Sequence, residues 1–502
     1  MTMQQGMQAG TRALTEAERL ALLPRKRDLH YGGRWHGAAG GARMAVIDPA
    51  RDRPLSDVAA ASAADVDAAV AAARAAFESW RRTPPLERAD RLRALADALR
   101  RHGEELAALD AIDTGNPLAE MRRDIDTGVR GIELFAGLVT EAKGETIPMG
   151  DGMLNYTLRE PLGVVARILA FNHPIMFATM RCAAPLAAGN TVIVKPADQA
   201  PLSALRLCEI IEAEEILPPG VYNVLTGGRD CGAALSAHPG VAKVALIGSV
   251  ATGKAILRAA AETVKPVGLE MGGKNALLAW PDQDVETIAA GAVGGMNLTW
   301  AGQSCGSTSR VFLHDSHHDA VLERIVALCG RYRPGEPTDP ATTMGPMISR
   351  AQFDRALGYI EAGRAEGARL VCGGAAAGEP GFEEGFFVQP TVFADVTMQM
   401  RIAREEIFGP VLSVFRWSDE EELFAAVNDT EYGLTAAIFT RDLTTAHRAA
   451  ARVEAGYVWV NHVGPHFIGA PFGGYKQSGM GREEGIEELL GSTQIKNVNI
   501  RL

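Results

Sequence analysis

The segment Val244-Ala-Leu-Ile-Gly-Ser-Val-Ala-Thr-Gly-Lys254 decides the fold class. A short β-branched run passes through Gly248-Ser249 into a helix-forming stretch, which is the strand–turn–helix unit of a parallel α/β sheet. The loop nearly matches the phosphate-cradling pattern GxxxxGK[ST], but Ala255 stands where a magnesium-holding hydroxyl would be, so nucleotide hydrolysis is not expected. The physics of the turn persists. Unpaired N–H groups and the positive end of a helix dipole converge where a phosphate can sit. Taken alone, the same residues also fit an ordinary glycine-containing βα turn.

The alternation extends outward in both directions. Strand-like runs at 164–169, 191–194, 221–225 and 244–247 are separated by helical stretches, among them 178–187 and 203–215. A second series follows Glu270, with strands at 275–278, 310–313, 410–415, 436–440 and 457–461 and helices at 284–299, 316–329 and 349–366. Two α/β domains meeting near 270–275 are expected. Upstream, Val66, Ala69, Val70, Ala73 and Phe77, then Leu92, Leu95, Leu99 and Leu106, recur at helical period on either side of Pro84-Pro85. They predict two amphipathic helices. Residues 154–159 and 493–502 read as exposed strands that either pair with another subunit or cap a sheet.

Composition narrows the function classes. A chain of 502 residues has room for two or three domains, and 47% hydrophobic with 22% charged residues is globular. A net charge of -11 argues against nucleic acid or an anionic membrane as the main partner. No run approaches the roughly 20 apolar residues of a spanning helix, and residues 1–28 lack the apolar core of a signal peptide, so a cytoplasmic location is expected. The six cysteines, Cys182, Cys208, Cys231, Cys305, Cys329 and Cys372, form no CxxC and no cluster with zinc spacing. No metal site and a reducing compartment follow. All but Cys305 read as small buried hydrophobes.

Cys305 lies in the glycine-flanked polar loop Gly302-Gln-Ser-Cys-Gly306. The loop contains the pattern GxSxG, but a helix precedes it and a strand follows, the reverse of a hydrolase nucleophile elbow. Cys305 is either a structural thiol or a reactive one. In Leu269-Glu-Met-Gly-Gly-Lys274, Glu270 is either a half-buried carboxyl suited to base catalysis or a solvated loop residue. Lys195-Pro196 puts a cation at the carboxyl end of a strand, where open α/β sheets bind ligands.

Five motifs taken in order resemble the aldehyde dehydrogenase superfamily from about residue 30 to the C-terminus: Phe-Asn172-His-Pro, Lys195-Pro-Ala, Leu-Glu270-Met-Gly-Gly-Lys, Gly-Gln-Ser-Cys305 and Glu405-Glu-Ile-Phe-Gly-Pro410. The tail Pro471-Phe-Gly-Gly-Tyr-Lys-Gln-Ser-Gly-Met-Gly-Arg-Glu483 fits as well. The resemblance implies Cys305 as nucleophile, the Asn172 amide and the Cys305 N–H as oxyanion donors, Glu270 as the base for thioester hydrolysis, and Glu483 as a second carboxylate in proton relay. It implies NAD, with NADP as the alternative, held by Lys195 and Asp198 at the adenosine ribose, Gly228 and Gly232 beside the adenine, Gly248 and Ser249 at the pyrophosphate, and Glu406 and Phe408 at the nicotinamide ribose. Asp198 stands where NAD users in this family often carry glutamate, which still favours NAD.

The same resemblance implies a Rossmann-like coenzyme domain over 1–138 and 162–272 and an α/β catalytic domain over 273–477. A β arm over 139–161 with the tail 478–502 would pair between subunits of a homodimer or homotetramer. The pocket wall would be His173, Phe177, Met180, Thr299, His466 and Phe472, mostly neutral and apolar, with Arg181 nearby and no evident anchor for a substrate carboxylate. A neutral aromatic or medium-chain aldehyde is the expected substrate. His173 and His466 either fill the wall or orient a substrate hydroxyl. The rival functions are a CoA-acylating aldehyde dehydrogenase and a non-catalytic binding protein on the same fold.

Overall fold

The computed structural model describes residues 12–378 and 382–501. The first eleven residues of the polar N-terminal stretch, and the final Leu502 of the tail, lie outside them. Among the described residues no helix is long and apolar enough to cross a membrane.

An eight-stranded sheet forms the first layer system, in the order Gly479–Met480, Val267–Met271, Lys243–Gly248, Val164–Ile168, Thr191–Lys195, Tyr222–Val224, Leu29–Tyr31 and Arg34–His36. The five central strands run parallel. Val164–Ile168 and Thr191–Lys195 are buried at every residue, because helices cover both faces of a parallel sheet and select continuous Val/Ile runs. The strand Val164–Ile168 has its sequence successor on one side and Lys243–Gly248 on the other. That is the topological switch point at which open α/β sheets leave a crevice.

A seven-stranded sheet follows in the order Arg369–Cys372, Thr391–Ala394, Val411–Trp417, Arg310–His314, Ala276–Ala279, Thr435–Phe439 and Tyr457–Val460. The chain crosses from the first sheet to the second between Met271 and Ala276. The apolar run around Leu269 forms a strand, so Glu270 sits in the sheet rather than in a solvated loop. The helical run after Pro84-Pro85 is split into Pro85–Arg101 and Gly103–Thr114. The split falls at His102, and the second helix opens on Gly103, where a Cβ would stand 2.9 Å from Ile125. Cys372, expected to be buried, is half-buried because its strand is the sheet edge.

The two exposed strands pair with each other: Met153–Pro161 and Thr493–Arg501 run antiparallel over nine residues, with Thr146–Ile147 on the other side. At the N-terminus, Arg19 of the helix Glu16–Ala21 is 1% exposed. Its guanidinium bonds Asp48 and reaches Glu336 at 2.7 Å, and Arg51 closes the cluster on both carboxylates.

Candidate active site

Four candidate residues stand at the carboxyl ends of adjacent parallel strands. Asn172 follows Val164–Ile168, Lys195 ends Thr191–Lys195, Ser249 follows Lys243–Gly248, and Glu270 is the penultimate residue of Val267–Met271. The Cys305 loop arrives from the second sheet. The helix Val285–Gly295 gives way to left-handed Asn297, a 3₁₀ turn Leu298–Trp300, left-handed Ala301, and Gly302 at φ +70°. A Cβ on Gly302 would lie 2.4 Å from the Gly409 carbonyl, so only glycine fits there.

The loop is then pinned from two sides. Asn275 donates to the carbonyls of Cys305 at 2.7 Å and Ser307 at 3.0 Å, and its Oδ1 accepts the Thr435 N–H at 3.0 Å. Gln303 donates to the Pro346 carbonyl at 3.1 Å and accepts the Ile348 N–H at 2.9 Å. Sequence reasoning missed both residues. Their side chains bond backbone groups far along the chain, which leaves no periodic signal.

Cys305 and Glu270 line one cavity of about 750 Å³, and each side chain shifts the ionisation of the other. Burial, with Glu483 adding repulsion, pushes the Glu270 carboxyl up to about 8. Burial and the adjacent Glu270 push the Cys305 thiol well up. Near neutrality the pair therefore rests as thiol and carboxylic acid. Asn172 is buried and its Oδ1 has no partner. Its backbone carbonyl accepts from Asn116 at 3.2 Å, which fixes the turn that carries it.

The cavity wall differs from expectation. His173, Phe177, His466 and Phe472 line it, joined by Trp300 and Trp459. Met180 and Thr299 do not. Met180 packs against Gly131, and Thr299 offers its carbonyl to the Gly345 N–H. Nor is the wall mostly neutral, because Asp124, Glu484 and Arg181 belong to it. His173 Nδ1 contacts Asp124 at 2.8 Å, and His466 Nδ1 contacts both Glu484 oxygens at 3.1 Å. Arg181 pairs with Glu484 at 2.9 Å and Glu483 at 3.2 Å. Burial works to raise the Glu484 carboxyl, but His466 and Arg181 outweigh it and hold it at about 2. Glu483 itself stands outside the lining, held by Arg167 at 3.0 Å as well as by Arg181.

The carboxyl ends of the first sheet's strands carry groups that could hold a dinucleotide. Ser249 caps the helix Val250–Ala261, accepting the Thr252 N–H at 3.3 Å, and the first-turn N–H groups face the end of Gly248. Gly228 caps Arg229–Ala237, which contains Gly232, and a Cβ at Gly228 would meet nothing within 4 Å. The Lys195 ammonium lies 3.9 Å from Asp198, beyond hydrogen-bond reach, so its donors stay open. Glu406 accepts the Gly273 N–H at 3.1 Å, and burial raises its carboxyl to about 7. Phe408, at φ +56°, meets Phe171 edge-on at 5.8 Å. Lys274 is buried beside this corner with no hydrogen-bond partner, and burial lowers it to about 7.

Two α/β sheets meet beside a cavity in which the half-buried Cys305 thiol stands near the buried Glu270 carboxyl, the frame of a cofactor-dependent enzyme. The chain belongs to the aldehyde dehydrogenase family, whose model matches residues 35–498. It is 54% identical over 488 residues to the aldehyde dehydrogenase tropH of Talaromyces stipitatus, covering 96% of this chain and 94% of that one. It is similar to the aldehyde dehydrogenase of Bacillus cereus in its NAD+ complex, with TM-score 0.94 and 40% identity over 98% of this chain and 100% of that one. It is also similar to the indole-3-acetaldehyde dehydrogenase AldA of P. syringae in a complex with NAD+ and IAA, with TM-score 0.93 and 36% identity over 97% and 100% of the two chains.

Proposed function

We propose that this chain oxidises an aldehyde to its carboxylic acid with NAD, through a covalent intermediate on Cys305. The Cys305 thiol and the buried Glu270 carboxyl group in the lining of one cavity carry the reading. Once ionised, Glu270 takes the thiol proton as sulfur adds to the aldehyde carbon. The Asn172 amide and the Cys305 N–H receive the developing oxyanion. Bound NAD supplies the acceptor for the hydride that leaves this carbon. Glu270 passes the thiol proton to solvent and then removes a proton from a water that attacks the thioester, and as the carbon–sulfur bond breaks that proton returns to the sulfur, which releases the acid and the thiol. Lys195, Asp198, Ser249 and Glu406 would hold the dinucleotide, as the NAD+ complexes of the B. cereus and P. syringae relatives favour. Glu483 acts through Arg181, its ion-pair partner beside the cavity.

A carboxyl group against the thiol favours water over CoA as the acyl acceptor. Single-turnover NADH formation tests the reading. Cys305→Ala abolishes it, whereas Glu270→Gln slows acid release more than the hydride step. Appreciable NADH from Cys305→Ala, or steady turnover that needs CoA, overturns it. We also assign an oligomer built on the edge strand Thr493–Arg501, which presents Ile495 and Ile500 to solvent. Sedimentation as a monomer contradicts that assignment.

A further inference from the structure

The two imidazoles in the cavity are built alike and stand on different elements. His173 caps the helix Pro174–Ala187, and His466 lies in the segment after Tyr457–Val460. Each gives Nδ1 to a carboxylate that is itself buried, Asp124 and Glu484 respectively. With Nδ1 turned to its carboxylate, each ring leaves Nε2 to hydrogen-bond a ligand, as an acceptor in the neutral form and as a donor in the protonated one. Neither Nε2 has a hydrogen-bond partner among the described residues, and neither is sealed from solvent, so both are left to the cavity.

The surroundings of each ring are aromatic. His173 contacts Phe177 and Trp300 at 5.3 and 5.2 Å between centroids, and His466 stacks on Phe472 at 4.2 Å. Such walls fit a flat ring. An entirely apolar ring seated there would strip water from both Nε2 atoms and replace it with nothing, an unfavourable exchange for a polar atom. A substrate carboxylate gains little beside the two rings, because Asp124 and Glu484 stand directly behind them and Glu483 and Glu484 offset the charge of Arg181; the other two arginines of the lining, Arg123 and Arg130, are exposed to solvent.

We propose that the substrate is a ring-bearing aldehyde with hydroxyl groups, which hydrogen-bond Nε2 of His173 and His466 while the aldehyde carbon faces Cys305. The proposal rests on the aldehyde-oxidising reading above and names the substrate class of that site.

The test is NADH formation by the intact enzyme with benzaldehyde, 4-hydroxybenzaldehyde, 3,4-dihydroxybenzaldehyde and 4-carboxybenzaldehyde. The hydroxylated compounds are expected to exceed benzaldehyde in kcat/KM by roughly tenfold or more, and the carboxylated one to fall below it. In His173→Phe and His466→Phe, measured separately, the ratio of hydroxylated to unsubstituted kcat/KM drops by roughly tenfold in at least one. The ratio is taken within each variant, so a lower yield of folded protein does not affect it. Binding to Cys305→Ala with NAD, read from quenching of Trp300 and Trp459, follows the same order. Equal kcat/KM for benzaldehyde and its hydroxylated forms, preference for the carboxylate, or an unchanged ratio in both variants overturns the inference. Absence of NADH from every aldehyde instead sinks the underlying reading, so the two failures are distinguishable.

Discussion

The Asn275 side-chain amide holds the Cys305 carbonyl at 2.7 Å, and the same side chain bonds Ser307 and the backbone of Thr435. Asn275 is the residue at which the chain enters the second sheet, yet it sets the loop that carries the nucleophile. Three backbone groups thus depend on one buried amide. Asn275→Ala strips them of partners, which costs about 1–3 kcal/mol per group left unsatisfied. Urea unfolding should register a loss in that range, and kcat should fall further than KM rises. Wild-type kcat in a stably folded Asn275→Ala would contradict the positioning role.

The proton balance at Glu270 sets a pH dependence for acid release. With its carboxyl raised to about 8, the base is mostly protonated at pH 7. Hydrolysis of a preformed thioester should climb close to tenfold per unit below about 8 and level off above it. The rate in Glu270→Gln should be low and flat across the same range. A wild-type rate already level from pH 6 is incompatible with this assignment.

The same shift has a consequence for stability. A carboxyl raised above its ordinary value of 4.5 contributes stability that is full below about 4.5 and is lost as pH rises through about 8. Glu270→Gln removes the need to ionise a buried group. The thermal midpoint of this variant relative to wild type should therefore improve between pH 6 and pH 9. A difference that stays constant or moves the other way means that Glu270 is not held neutral in the folded protein.

Arg19 sits between Asp48 and Glu336 with almost no solvent contact. Replacing it with methionine leaves the two carboxylates with Arg51 as their one cationic partner among the described residues. Removal of one member of a buried ion pair typically costs about 3–5 kcal/mol, and denaturant unfolding should show a loss of that order. Kinetic constants at a temperature well below the midpoint should change little, because the cluster is remote from the cavity lining.

The legible parts of the fold were those with local periodicity. The runs at 164–169 and 191–194 are apolar on both faces, so strand and burial follow from composition. Val267–Met271 was obscured because it contains Gly268 and Glu270, which sheet interiors usually exclude. Cys305, Asn172 and Glu270 were visible as motifs. The pairings that set the pocket's character were not. His173 lies 49 residues from Asp124, and neither segment announces the other. Glu484 and Glu483 are adjacent, and only the left-handed backbone at Glu484, φ +66°, decides which one faces the cavity.

The Arg19 cluster also orders events during synthesis. Its two carboxylate partners emerge at very different times: Asp48 follows closely, while Glu336 lies 317 residues downstream of Arg19. At roughly 5–20 residues per second, the helix Glu16–Ala21 waits on the order of 15–60 s on the ribosome before its last anchor exists. Until then Arg19 has only its near neighbours in sequence, Glu16 and Asp48, as carboxylate partners, and the contact that closes the cluster joins segments made far apart in time.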